Sequence, residues 1–203
     1  MAKIALIGAS GQAGSRILKE LSDRGHVVTG IARNPEKIAL LPNVIPARGD
    51  VFDQGTLADL IAGHDAVVSS VHFTASDPRI LIEAVRASGV PRYLIVGGAG
   101  SLEIAPGKRV FEQPDFPEPY KQEARAGAEF LDLLRAEPTL NWTFLSPSAD
   151  FVPGERTGAF RLGKDTLLSN DQGSSISFED YAFALVDEIE RPAHIRERFT
   201  IGY

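Results

Sequence analysis

The stretch "KIALIGASGQAGSRILKEL", residues 3 to 21, constrains this chain more than any other. Five residues suited to a buried strand, Lys3 to Ile7, run straight into glycines at positions 8, 11 and 14. A helical pattern follows, in which Ala13, Ile17, Leu18 and Leu21 share one face and Gly25 supplies the stop. With a second apolar segment at Val27 to Ala32, this reads as strand, glycine turn, helix and strand within about 30 residues, the length of a βαβ unit.

Each glycine has a separate task. Gly8 permits the tight turn off the strand, Gly11 lets the backbone approach a pyrophosphate, and Gly14 lets the helix pack against the sheet. Residues 11 to 15 contain no Asp or Glu to offset the positive end of the helix dipole. The turn of Ser10, Gly11, Gln12 and Ala13, with the free N–H groups of Gln12 and Ala13, is therefore the expected anion cradle of a dinucleotide.

The end of the second strand bears on which dinucleotide. A site for NAD usually places an acidic residue there, roughly 20 residues after the glycines, to hold the ribose 2′-hydroxyl. This chain reads "VVTGIARNPEK", with Arg33 at that place and Asn34 and Lys37 close behind. A forked guanidinium suits a 2′-phosphate. NADP(H) is the expected coenzyme, with NAD(H) as the alternative.

Apolar segments then alternate with helical ones, the pattern of a parallel sheet covered on both faces. Further strands are expected at Val44 to Ala47, Ala66 to Val71, Tyr93 to Val96, Trp142 to Leu145 and Phe199 to Ile201. Helices are expected from Thr56 to Ala62, Pro78 to Ala87, about Tyr120 to Arg135, and from Ser177, where Asp180 suggests a capping box. Residues 147 to 175 read as irregular. The fold class is α/β: one Rossmann-like doubly wound domain over residues 1–203, with residues 1–146 as dinucleotide-binding core and 147–203 as acceptor-pocket segment, last helix and last strand.

Composition narrows the function classes. The net charge is −6 with no Lys/Arg run, so nucleic acid is not an expected partner. No cysteine is present, and the four histidines are scattered, so neither a thiolate nor a metal site is expected. The apolar start is broken by Gly8, Ser10 and Gln12 before a signal-peptide core accumulates, and no run approaches the ~20 apolar residues of a membrane span. A cytoplasmic protein that does not engage a membrane is expected. Monomer and homodimer are equally compatible with the sequence.

The motifs GASGQAG (8–14), ARNPEK (32–37), GDVFD (49–53), DAVVSSV (65–71), GVPRYLIVGGAGSL (89–102) and ISFEDYAFALVDEIE (176–190) together resemble the atypical short-chain dehydrogenase/reductase family. Within it the chain is similar to the NAD(P)H-binding, NADH-flavin reductase group, with NmrA-like and biliverdin reductase B-like relatives. The resemblance spans nearly the whole chain. It implies that Asp50 and Val51 line the adenine pocket. It also implies that Ser69, Ser70 and Val71, with Gly97, Gly98 and Ala99, pass under the nicotinamide-side ribose, and that Pro147 and Ser148 close over the nicotinamide. Asp50 reads equally well as an ordinary turn residue. Phe151, Phe160 and a turn at Gly163-Lys164-Asp165 are expected to wall the acceptor pocket, although Phe151 and Phe160 read equally well as core aromatics.

The chain departs from the larger branch of that family in one respect. Tyr93, Tyr120 and Tyr181 are followed four residues on by Gly97, Ala124 and Leu185, and Tyr203 ends the sequence, so there is no YxxxK pair. Gly97 and Gly98 occupy the place of the catalytic serine. Ketone reduction thus loses its acid and its oxyanion partner. A flavin, or a similar conjugated small acceptor such as a quinone, needs chiefly to be stacked and aligned against the nicotinamide. The expected activity is hydride transfer from NAD(P)H to such an acceptor, with Tyr120, Lys121 and His72 as the catalytic candidates and Lys121 as a ribose contact. The alternatives are a non-catalytic NADP-binding redox sensor of the NmrA-like kind and a sugar-nucleotide-type epimerase.

Overall fold

A computed structural model describes residues 1–203. The chain runs β1 (Lys3–Ile7), α1 (Gln12–Asp23), β2 (Val27–Ala32), β3 (Val44–Arg48), α2 (Gln54–Ile61), β4 (Ala66–Ser69), α3 (Pro78–Ser88), β5 (Arg92–Val96), β6 (Glu103–Ala105), β7 (Lys108–Arg109), α4 (Glu118–Ala136), β8 (Asn141–Ser146), β9 (Asp150–Val152), β10 (Arg161–Gly163), β11 (Ser175–Ser177), α5 (Phe178–Glu190) and β12 (Glu197–Gly202).

Eight strands form the central sheet in the order β10-β12-β8-β5-β4-β1-β2-β3. All neighbours are parallel except β10, which pairs antiparallel with β12. Alternate residues of β1 feed opposite faces: Ile4 and Leu6 join a core with Ile17, Leu21, Tyr181 and Leu185, whereas Ala5 and Ile7 join one with Leu57, Leu81, Phe130 and Trp142. A strand buried on both faces must be apolar throughout, which is why its sequence shows no alternation. The α/β doubly wound architecture expected from the sequence is the one observed. No helix is long and apolar enough to cross a membrane.

The topology positions the site. β1 pairs with β2 on one side and β4 on the other, so successive connections leave it in opposite directions. That switch point opens a crevice beyond the carboxyl ends of the strands.

Several boundaries differ from those expected. β4 stops at Ser69 rather than Val71, because the chain turns into a single 3-10 turn at Phe73–Ala75. α4 begins at Glu118, where Pro119 fits a first turn that has no use for its missing N–H. Ser177 does cap α5, its Oγ accepting from the Asp180 N–H at 2.9 Å. The reciprocal half of the box is absent, because the Asp180 carboxylate accepts instead from Thr157 Oγ1 (2.6 Å), Gly158 N–H (2.8 Å) and the Tyr203 hydroxyl (2.9 Å). Within residues 147–175, which read as irregular, β9 pairs in parallel with β11, and β10 extends the main sheet.

Candidate functional site

The site grows from the turn after β1. Gly8 has φ +83°, and a Cβ there would lie 2.1 Å from the Ser70 carbonyl oxygen, so only glycine lets β1 turn against the end of β4. Its N–H donates to the Ile31 carbonyl at 2.8 Å, and its own carbonyl accepts from the Gly11 N–H at 3.0 Å. α1 then starts directly over this turn: a Cβ on Gly14 would stand 2.1 Å from the Gly8 oxygen. The close packing expected of Gly14 is thus against the glycine turn itself rather than the sheet.

α1 begins without a side-chain cap and without an acidic residue in its first turn. Its first N–H groups point into a cleft of about 500 Å³, whose lining includes Gly8, Ser10, Gly11, Gln12 and Ala13. Uncapped amides and an unopposed dipole make this the electropositive end of the cleft. Arg33 lines it too, exposed and engaged in no ion pair or hydrogen bond.

Across from Arg33, Asp50 and Val51 form part of the wall. Asp50 also serves the turn, its Oδ1 accepting from the Phe52 N–H at 3.0 Å. At the far end Ser70, Val71, His72 and Gly97 reach the same cleft. These residues come from the ends of β1, β2, β3, β4 and β5, which converge only through the parallel register.

A second cavity, of about 820 Å³, adjoins the first. Phe73, Glu123 and Phe151 belong to both linings. Gly98, Ala99 and Tyr120 line this second cavity rather than the first. Phe151 is fixed edge-on against Phe178, with ring centroids 4.5 Å apart, and Phe73 stacks on Phe144 at 6.1 Å.

Other expected residues lie elsewhere. Ser69 is buried, its hydroxyl 3.1 Å from that of Tyr93, because β4 turns this side chain into the core. Ser148 is fully buried and donates to the Ile201 carbonyl at 3.1 Å; it and the buried Pro147 line neither cavity. Lys121 is turned outward to Glu118, with Nζ and Oε2 2.6 Å apart, and lines neither cavity. Asn34 and Lys37 sit in the 3-10 turn after β2, outside the lining that includes Arg33. Phe160 packs on Phe183, with centroids 5.7 Å apart, and Asp165 serves Arg198 and Arg135 instead of the acceptor side.

Glu123 is the site residue that sequence reasoning missed. Its carboxylate accepts from Phe73 N–H (2.7 Å), Thr74 N–H (2.9 Å) and Thr74 Oγ1 (2.6 Å), with His72 Nδ1 at 3.3 Å. Burial pushes this carboxyl up, but the hydrogen bonds from Thr74 and Phe73 outweigh burial and hold it below the ordinary glutamate value. It therefore stays ionised and ties the turn after β4 to α4, at the junction of the two cavities.

None of the tyrosines lines the first cleft. Tyr93 and Tyr181 are wholly buried, and burial pushes both phenols up, out of reach of general-base chemistry near neutrality. Tyr203 is held by Ser177 and Asp180.

The residues fit a dinucleotide on observations internal to the chain: a glycine turn that tolerates no side chain, a bare helix start, and a crevice at the sheet's switch point. Comparison with known proteins agrees. The YwnB protein of Bacillus subtilis (strain 168) is 42% identical over 210 residues, covering 98% of this chain and 97% of its own length. A structure described as that of an epimerase from Bacteroides thetaiotaomicron superposes with a TM-score of 0.94 at 43% identity, over 99% of this chain and 96% of the other. A Streptococcus pneumoniae TIGR4 protein provisionally described as an NADH-flavin reductase gives 0.83 at 40% identity, over 100% and 99% of the two chains. Residues 8–192 match the family model described as NAD(P)H-binding, and the chain belongs to that family.

Proposed function

We propose that this protein is an NAD(P)H-dependent oxidoreductase that prefers NADPH and passes hydride to a flavin or similar conjugated acceptor. The observation that carries this reading is that the cleft at the bare start of α1 adjoins a second, aromatic-walled cavity, with Phe73, Glu123 and Phe151 lining both. One chamber suits a polyanionic coenzyme. The other has room for a planar partner beside it.

In this reading Gln12 and Ala13 N–H groups hold the pyrophosphate, Arg33 faces the 2′-phosphate, and Asp50 and Val51 border the adenine. Ser70, Val71 and Gly97 floor the nicotinamide end of the cleft. A bound reduced nicotinamide supplies a hydride, two electrons on one hydrogen, and the acceptor takes one further proton from water. His72, largely exposed and held at Nδ1 by Glu123, lines the coenzyme cleft next to Phe73, which both chambers share, and passes that proton on from this side. Phe73 and Phe151 exclude water between the chambers, and Tyr120 borders the acceptor.

The name of the Streptococcus relative supports the reductase reading. The epimerase description of the Bacteroides relative points to a different reaction, which needs a base of the tyrosine kind; no tyrosine lines the first cleft of this chain.

A paired fluorescence titration with NADPH and NADH tests the assignment, repeated on Arg33→Ala. The unmodified protein is expected to favour NADPH by roughly ten-fold or more, as a charged hydrogen-bonded pair implies, and the variant to lose most of that preference. Equal affinities in the unmodified protein would overturn the role of Arg33. Turnover separates reductase from redox sensor: NADPH consumption on adding flavin or quinone supports the first, and tight binding without turnover over a broad acceptor panel supports the second.

A further inference from the structure

The two chambers differ in whether their lining includes a cation. The first offers Arg33 and the open amides of α1 beside the carboxylates of Asp50 and Glu123, whereas the second is lined by no lysine, arginine or histidine. Its walls are apolar and aromatic, from Phe73, Phe116, Tyr120 and Phe151 with Ile104 and Val152, and the charges it does carry are the carboxylates of Asp115, Glu123 and Asp150. Glu123 is committed to the turn at Phe73 and Thr74. Asp115 and Asp150 are exposed, and their carboxylates engage in no ion pair or hydrogen bond. Nothing within the fold uses these two charges.

We propose, on the basis of the reductase reading above, that the second cavity selects planar conjugated acceptors bearing no anionic group, and that Asp115 and Asp150 determine this specificity. The aromatic walls bury a flat neutral ring system. A phosphate monoester, with about −1.5 to −2 charge near neutrality, meets two unneutralised carboxylates and no compensating cation. An uncharged flavin enters this chamber, and its phosphorylated counterpart is repelled. The same pattern directs the polyanionic coenzyme to the chamber with Arg33, so that coenzyme and acceptor do not compete for one place.

Riboflavin and FMN form a matched pair, since they share the ring system and differ by one phosphate. Their binding to the NADP⁺-saturated protein is followed by flavin fluorescence at low salt and at about 0.5 M salt, where the Debye length falls to only a few ångströms. Riboflavin is expected to bind about ten-fold more tightly than FMN at low salt, from two screened like-charge repulsions. The ratio narrows at high salt, and narrows likewise at low salt in the Asp115→Asn, Asp150→Asn double variant.

FMN binding as well as riboflavin at low salt would overturn the proposal, as would a ratio that neither salt nor the double variant moves, or the failure of both flavins to bind. Steady-state NADPH oxidation with the same two flavins keeps the two readings apart. Selective riboflavin binding without NADPH consumption would sink the reductase reading and leave the cavity's selectivity standing.

Discussion

Gly97, at the end of β5, lies so close to Phe144 of β8 that a Cβ at position 97 would come within 2.4 Å of the ring's Cε1 and 2.6 Å of the Leu145 carbonyl oxygen. The position where the larger short-chain branch carries a serine is therefore closed to any side chain. Nearby, a Cβ on Gly100 would meet the Ala124 Cβ at 2.5 Å, so the residue four places after Tyr120 packs against the Gly100 backbone at the edge of the second cavity, which it also lines. The missing serine is a consequence of how tightly the end of β5 packs against β8.

Gly97→Ser is accordingly expected to cost stability, by about 1–3 kcal/mol as overpacking does, without creating ketone reduction. Urea denaturation monitored by Trp142 fluorescence, paired with NADPH oxidation in the presence of simple ketones, checks both halves. Normal stability or appreciable ketone turnover would contradict the packing argument.

Gly11 and Gly14 are expected to separate affinity from stability. A Cβ on Gly14 strikes the Gly8 carbonyl at 2.1 Å, whereas one on Gly11 lies 3.3 Å from it, at φ −75°. Gly14→Ala should destabilise the fold by about 1–3 kcal/mol and weaken coenzyme binding as the turn is displaced. Gly11→Ala should leave the denaturation midpoint nearly unchanged while lowering coenzyme affinity, since its methyl would intrude on the cradle. Calorimetric titration and denaturation of both variants give the comparison; identical behaviour would refute the separate roles.

Glu137, which ends α4, governs part of the acid stability. Burial pushes its carboxyl up, but the hydroxyl and N–H of Thr139, the Arg86 guanidinium and the Leu140 N–H together draw it down to about 2. Its folded value lies below its unfolded one, so its contribution is complete above about pH 4.5, falls away between pH 4.5 and 2, and is gone below that. The stake is up to about 3 kcal/mol. Glu137→Gln is expected to lower the melting temperature at pH 7 and to flatten its dependence on pH between 5 and 3, as measured by thermal melts. An unchanged slope would show that other carboxylates carry the acid transition.

What could be read in the chain beforehand follows a physical division. β1, the glycine turn and α1 are local, and a strand covered on both faces must be apolar, so the βαβ start and the sheet were legible from residues 3 to 32. Arg33, Asp50, Val51, Ser70, Val71 and Gly97 fall at strand ends, and the switch-point rule brings those ends together. Facing direction is another matter. Ser69 turned inward because it shares a face of β4 with the buried Val67, and Lys121 turned outward through the rotation of α4, which packing sets and periodicity leaves free within a residue or so. Glu123 was invisible for the same reason: a carboxylate on an amphipathic helix reads as solvated, and its partners lie about 50 residues earlier in the chain. Asp180 likewise resembled a capping residue, although its real partners are the loop at Thr157 and Gly158 and the hydroxyl of Tyr203.

Phe73, Glu123 and Phe151 form a party wall between two rooms. Whatever occupies one room rests on masonry that the other also leans on, so neither guest can be fitted without adjusting the other's seat. With coenzyme and acceptor seated as proposed, altering that partition to suit a new acceptor is expected to disturb the hold on the coenzyme, and changes confined to the outer walls, around Phe116 and Val152, to leave it intact.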